Sequence, residues 1–195
     1  MNKLEGFYEL KKSNLPTVPW QKYDKDTVLD NNILWTIRSA VAKGNDLNLP
    51  RKIGVSASEA YEFAQALLKE LSSDDMVIYY PYFVAIKSGV IDVSYNRTVI
   101  EAVNKDLWNL VTNNNKDVTI IFKEDDLEFF GDENFLSQEE MFELIKYSNN
   151  VKKLYRDFIN SGKSVFLEWS YSQKADKDGN PIGDKKLVFY EIRTV

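Results

Sequence analysis

The chain has 195 residues, a formal net charge of −5, and neither cysteine nor histidine. On its own side chains this excludes disulfides, thiolate and imidazole metal sites, thiol nucleophiles, Ser-His-Asp catalysis and phosphohistidine chemistry. The net charge argues against general attraction to nucleic acid or an anionic membrane. What chemistry remains must use Asp, Glu, Lys, Arg, Ser, Thr, Tyr or backbone groups. The length suits one domain, or two small lobes sharing a cleft, and allows a sizeable core. No apolar run reaches the length of a membrane span, and "MNKLEGFYELKK" has no signal-peptide core, so a cytoplasmic protein is expected.

In chain order, residues 1–32 contain "NLPTVPWQKYDKDTVLDNN", whose prolines and polar residues predict an irregular segment. The β-like run "ILWTIRSAV" (33–41) opens a first lobe over 33–112. A loop, "AKGNDLNLPRKIG" (42–54), follows. "SASEAYEFAQALLKEL" (56–71) predicts a helix. Ser56 and Glu59 have capping-box spacing, and Ala60, Phe63, Ala64, Leu67, Leu68 and Leu71 form one apolar stripe. A strand over 76–84, interrupted by Pro81, then a turn at "KSG" and a strand over 90–94 are expected, with further strands over 97–103 and 117–122. The polar "TNNNKD" marks the lobe boundary, and a second lobe runs over 113–195. There a second capping box, Ser137 with Glu140, opens two helices, broken near Asn149–Asn150 and stopped at Gly162. Two strands joined by "DKDGNP" close the chain. The class is α+β.

That closing hairpin carries the most informative charges. Side chains alternate along a strand, so Phe166, Glu168 and Ser170 share a face, and Glu191 shares one with Arg193. Ordinary pairing can bring all three charges to one face, although the residues do not fix the register. Charges in strands this apolar raise the free energy unless they are paired or bound. Two carboxylates can hold Mg²⁺ together with substrate phosphates, and a guanidinium can fork a phosphate. The competing reading is a cross-strand salt bridge on a wet face. In the turn, Asp176, Asp178 and Asn180 alternate, but the glycine and glutamate of a calcium loop are replaced by Pro181 and Leu187, which favours a plain turn. Other features stay open between two readings. Trp35, Trp108 and Trp169 could stack on a base or fill a core. "KEDDLE" (123–128) could hold a cation or form a solvated turn. Lys87 and Ser88 could touch phosphate, or flank a turn built on Gly89.

"FLEW" and "YEIRT" resemble the last strands of the ATP-binding domain of the pyruvate phosphate dikinase and phosphoenolpyruvate synthase family, an ATP-grasp fold. There the chain ends in a "DIEW" strand and an "xQxRP" strand. In matching order, "LWTIRSAV" is similar to the family's "VRSS" strand, "YYPYFVAIKSGVIDV" to "VQxMVxxxxSGVxFT", and "TVIEAV" to "xIEAxxG". The resemblance covers residues 33–195. It implies an ATP-grasp-like fold, two small lobes of antiparallel sheet with helices around a shared cleft, and binding of ATP with Mg²⁺. By the same resemblance Glu168 and Glu191 are expected at the metal, and Arg38, Arg193 and the backbone near Gly54 at phosphate.

The departures limit what carries over. The aspartate of "DIEW" is Phe166, and Glu191 stands for a glutamine. The glycine turn after "IEA" is absent, and Lys11 and Lys12 lie too close to Arg38 to match the family's N-terminal lysine. The family passes phosphate to a histidine on a separate domain, and this chain has no histidine. Two functions are therefore expected in competition. One is an ATP-dependent phosphotransferase component acting in trans on a separate phosphohistidine-domain protein. The other is a non-catalytic descendant serving as a binding or regulatory module.

Overall fold

The computed structural model describes residues 1–43, 49–107, 110, 116–123 and 126–195. The chain forms two compact units, Met1–Val84 with Ser172–Val188, and Ala85–Tyr171 with Phe189–Val195.

The first unit begins with a helix, α1 (Lys3–Lys12), where the sequence predicts irregular structure. Its start is a capping box: Asn2 accepts from the Glu5 backbone N–H at 2.8 Å, and Glu5 accepts from the Asn2 N–H at 2.9 Å. Two otherwise orphaned donors are thereby satisfied, and Phe7 and Leu10 are buried on one side of the helix. The prolines that argue against helix come only after α1 has ended. Four strands follow: β1 (Gln21–Lys22), β2 (Trp35–Ala40), β3 (Arg51–Val55) and β4 (Met76–Pro81), in the antiparallel order β1-β4-β2-β3. All six residues of β2 are buried, because both faces are covered. On one face, Ala60, Ala64 and Leu67 of α2 (Ala57–Glu70) pack with Trp35, Ile37 and Val77. On the other, the Phe7 ring of α1 lies over Arg38.

β3 falls where the sequence predicts a loop. It is an edge strand with Arg51, Lys52 and Ile53 exposed, so it lacks the apolar alternation that announces a half-buried strand. Trp35 pairs with Val55 and Ile37 with Lys52, which leaves one extra residue on β3. Gly54 takes up this bulge at φ +67°, a conformation in which a Cβ is strained.

The second sheet has six strands: β5 (Phe83–Val93), β6 (Thr98–Asn104), β7 (Val118–Lys123), β8 (Asp126–Gly131), β9 (Val165–Ala175) and β10 (Pro181–Thr194), in the order β10-β9-β5-β6-β7-β8. In the second unit, α3 (Gln138–Leu154) covers one sheet face. The Tyr171 hydroxyl donates to the Glu140 carbonyl at 2.9 Å, and the rings of Tyr147 and Phe189 meet edge to face at 5.8 Å. A short helix, α4 (Arg156–Asn160), follows, and Gly162 at φ +86° ends the helical region as expected.

Three expectations are corrected here. The turn at "KSG" does not form, and β5 runs straight through it. Gly89 is there for close approach: a Cβ would collide with the Glu101 carbonyl and stand 2.5 Å from the Trp169 ring. The helix does not break at Asn149–Asn150, because Leu144, Ser148 and Val151 continue one buried stripe; it ends at Tyr155. Finally, 126–131 is a strand, β8, rather than a continuation of a solvated turn.

Candidate functional site

On β9 the alternation is as the sequence predicts. Val165, Leu167, Trp169 and Tyr171 are buried toward the helix side, and Phe166 and Glu168 are half-buried on the other. β10 brings its own charges to that second face. Arg193 Nη2 donates to Glu168 Oε1 at 3.2 Å, and Arg193 Nε lies 3.6 Å from Glu191 Oε1. The guanidinium carbon sits 4.9 Å from the centre of the Phe166 ring. Phe166 thus serves as a platform for the arginine. Side-chain exposure is 39% for Arg193, 21% for Glu168 and 12% for Glu191, so water partly screens the pairing. A guanidinium carries five N–H donors, more than these two contacts use.

The hydroxyls of Ser88 and Ser170 are 2.7 Å apart, which fixes the even-numbered positions of β5 and β9 on one face. Asp92 therefore stands on the Glu168 face, and its Oδ1 is buried without a hydrogen-bond partner. Sequence reasoning missed this residue; its signal was a lone acid at an alternating position in "GVIDV". Among the described residues, no three acidic side chains come close enough together to hold a metal ion. Glu168 and Glu191 remain a pair of hard oxygen donors that fits Mg²⁺ only when phosphate oxygens and water complete the shell.

Arg38 belongs to the first unit. It lies in β2, directly opposite Ile78 of β4 and Arg51 of β3. It is 8% exposed, its Nε has no hydrogen-bond partner, and its guanidinium rests 5.2 Å from the Phe7 ring. No carboxylate pairs with it among the described residues. Only Nε is fully enclosed, and the two Nη atoms still reach solvent, where an anion could offset the desolvation of the enclosed side. Gly54 sits at the β3 bulge with the Tyr82 ring 3.4 Å from where its Cβ would be.

Several candidates have structural partners instead. Lys87 Nζ donates to Glu140 Oε2 and to the Phe135 carbonyl, each at 2.7 Å, and Ser88 donates to the Lys105 carbonyl at 2.5 Å. Trp35 and Trp169 are core side chains, 8% and 0% exposed. Asp176 organises the closing turn by accepting from the backbone of Asp178 and Asn180 at 2.9 and 2.8 Å. Those bonds, with the Asn180 side chain first, hold its carboxyl below the usual aspartate range. Lys123 pairs with Glu128 at 3.1 Å. Trp108, the 44–48 part of the first loop, 112–115 of "TNNNKD" and Glu124–Asp125 lie outside the described residues.

No family model matches the chain, and no curated protein matches it. Among solved structures, it is similar to D-alanine-D-alanine ligase from Helicobacter pylori, with a TM-score of 0.51 at 15% sequence identity. The match covers 98% of this chain and 50% of the ligase chain, so the chain spans about half the length of that protein. The ligase has the ATP-grasp fold, and at this identity the likeness speaks to fold alone. The chain is accordingly a mixed α and β protein, with two antiparallel sheets and flanking helices, of ATP-grasp-like fold.

Proposed function

We propose that this chain is a nucleotide-binding protein related to the ATP-binding domain of phosphoenolpyruvate synthase. In this reading Arg38 and Arg193 take up phosphate charge, assisted by backbone N–H groups near Gly54. Glu168 and Glu191 hold Mg²⁺, which would neutralise and orient the phosphates. ATP-grasp proteins in general use ATP and Mg²⁺. The observation that carries the reading is Arg38, a guanidinium 8% exposed with no carboxylate partner among the described residues. A protein that had no anion to bind would be more stable with an apolar side chain there.

Transfer would then run in trans to a separate phosphohistidine-domain protein, since this chain has no histidine to receive phosphate. A second reading, a non-catalytic binding or regulatory module, is favoured by the Arg193 contacts. One guanidinium already pairs with both carboxylates.

Calorimetric titration with Mg-ATP tests the shared part. The wild type is expected to bind, and Glu168→Gln and Arg193→Ala each to weaken binding. Loss of a charge-assisted contact costs about 1.5–3 kcal/mol, roughly ten- to a hundredfold. Absence of heat at millimolar Mg-ATP contradicts nucleotide binding. Where binding is seen, transfer of labelled phosphate to an added phosphohistidine-domain protein separates the two readings.

A further inference from the structure

We propose that the second unit contains a binding site for a small aromatic anion, independent of the nucleotide reading. A cavity of about 470 Å³ opens at one end of the second sheet. Its walls come from the β5–β6 turn, the start of β6, the end of β7 and the C-terminal half of α3. That volume lies within the range of small-molecule sites.

The lining chemistry is one-sided. Arg97 and Lys152 supply two cations, and no acidic residue lines the cavity. Neither cation forms an ion pair among the described residues. In a chain of net charge −5 this is a local reversal of sign. Tyr95 and Phe122 supply two rings, and Asn149 an amide. Thr98 adds a second observation. It is 6% exposed, it lines the cavity, and its hydroxyl has no partner among the described residues. The hydroxyl itself is not among the fully enclosed unpaired atoms, so it opens on the cavity and is free to bond a ligand there. Thr98 pairs directly with Phe122 across β6 and β7, so hydroxyl and ring stand side by side on one sheet face. The arrangement suits a planar ring stacked on an aromatic side chain, with its anionic group held by Arg97, Lys152 and Thr98.

Phenyl phosphate is the probe, because it carries a ring and an anion without being a nucleotide. Titrated into the full chain and followed by amide resonances, it should shift Thr98, Phe122 and Asn149 saturably. It should bind at least about tenfold tighter than inorganic phosphate or phenol alone, since both halves contribute. The double variant Arg97→Gln, Lys152→Gln changes side chains outside the core, so its other resonances should stay in place. It should weaken phenyl phosphate by about tenfold or more. Three results overturn the proposal: affinity no better than for inorganic phosphate, unchanged binding by the double variant, or shifts confined to other parts of the chain. Mg-ATP binding bears on none of these outcomes, so this site and the nucleotide reading can fail separately.

Discussion

At the scale of single residues, the informative side chains are charges in strands. Arg193 faces two carboxylates and a ring, so its position is accounted for by protein contacts. Arg38 is not: a cation–π contact to Phe7 returns roughly 0.5–2 kcal/mol, less than the several kcal/mol lost on burying a charge. Arg51, directly opposite on β3, adds like charge to that face. Glu191 is the residue whose role is sharpest to test. Glu191→Gln removes one of the two proposed metal ligands while Glu168 still pairs with Arg193. Mg-ATP affinity measured by calorimetry should therefore fall, by about tenfold or more. Unchanged or rising affinity would take Glu191 out of the metal site. The charge pattern of the hairpin was legible because alternation places Glu168, Glu191 and Arg193 on faces that pairing can merge. Asp92 was not, because one acid in an apolar run gives no sign of its neighbours until the sheet order is known.

At the scale of elements, α3 is tied to the second sheet by polar contacts beneath its first turns. Glu140 closes the capping box with Ser137 and receives Lys87, and it is 4% exposed. Lys87→Met strips a buried carboxylate of its cation and should lower the unfolding free energy by about 3 kcal/mol, read from urea denaturation. The single Tyr171 hydroxyl proton is shared between the Glu140 carbonyl at 2.9 Å and Glu143 Oε2 at 2.8 Å. Burial first, and the Glu143 bond second, push its hydroxyl well above the usual tyrosine range. A raised pKa in the folded state means that stability from this group is intact below the ordinary tyrosine value of about 10 and is lost as pH rises beyond it. Tyr171→Phe should cost about 1–3 kcal/mol at neutral pH and flatten the alkaline fall, checked by urea midpoints at neutral pH and above about pH 10. Gly89→Ala drives a Cβ into the Glu101 carbonyl and the Trp169 ring, and should destabilise by about 3 kcal/mol or more. α2 and the start of α3 were legible through their capping boxes and stripes, whereas α1 was missed although Asn2 and Glu5 form such a box. β3 and β8 were not legible either: the first is exposed at an edge, and the second follows an acidic run whose composition reads as turn. The glycine of "KSG" misled for a related reason, since punctuation and close approach use the same residue.

At the scale of the whole molecule, five weak motifs in order pointed to an ATP-grasp-like fold, and the likeness to the ligase supports that fold at 15% identity. No helix among the described residues is long and apolar enough to cross a membrane. The central claim is that the buried arginine is kept for phosphate, at some expense in stability. The most direct measurement is thermal unfolding of the wild type and of Arg38→Met, each with and without millimolar Mg-ATP. The account predicts that Arg38→Met alone melts at or above the wild type, since it replaces an unpaired buried cation by an apolar chain of similar length. Mg-ATP should raise the melting temperature of the wild type, as a ligand of the folded state must, and leave Arg38→Met nearly unmoved. The account is contradicted if Arg38→Met melts well below the wild type and shifts just as far with Mg-ATP, for then Arg38 is a structural residue and the phosphate lies elsewhere.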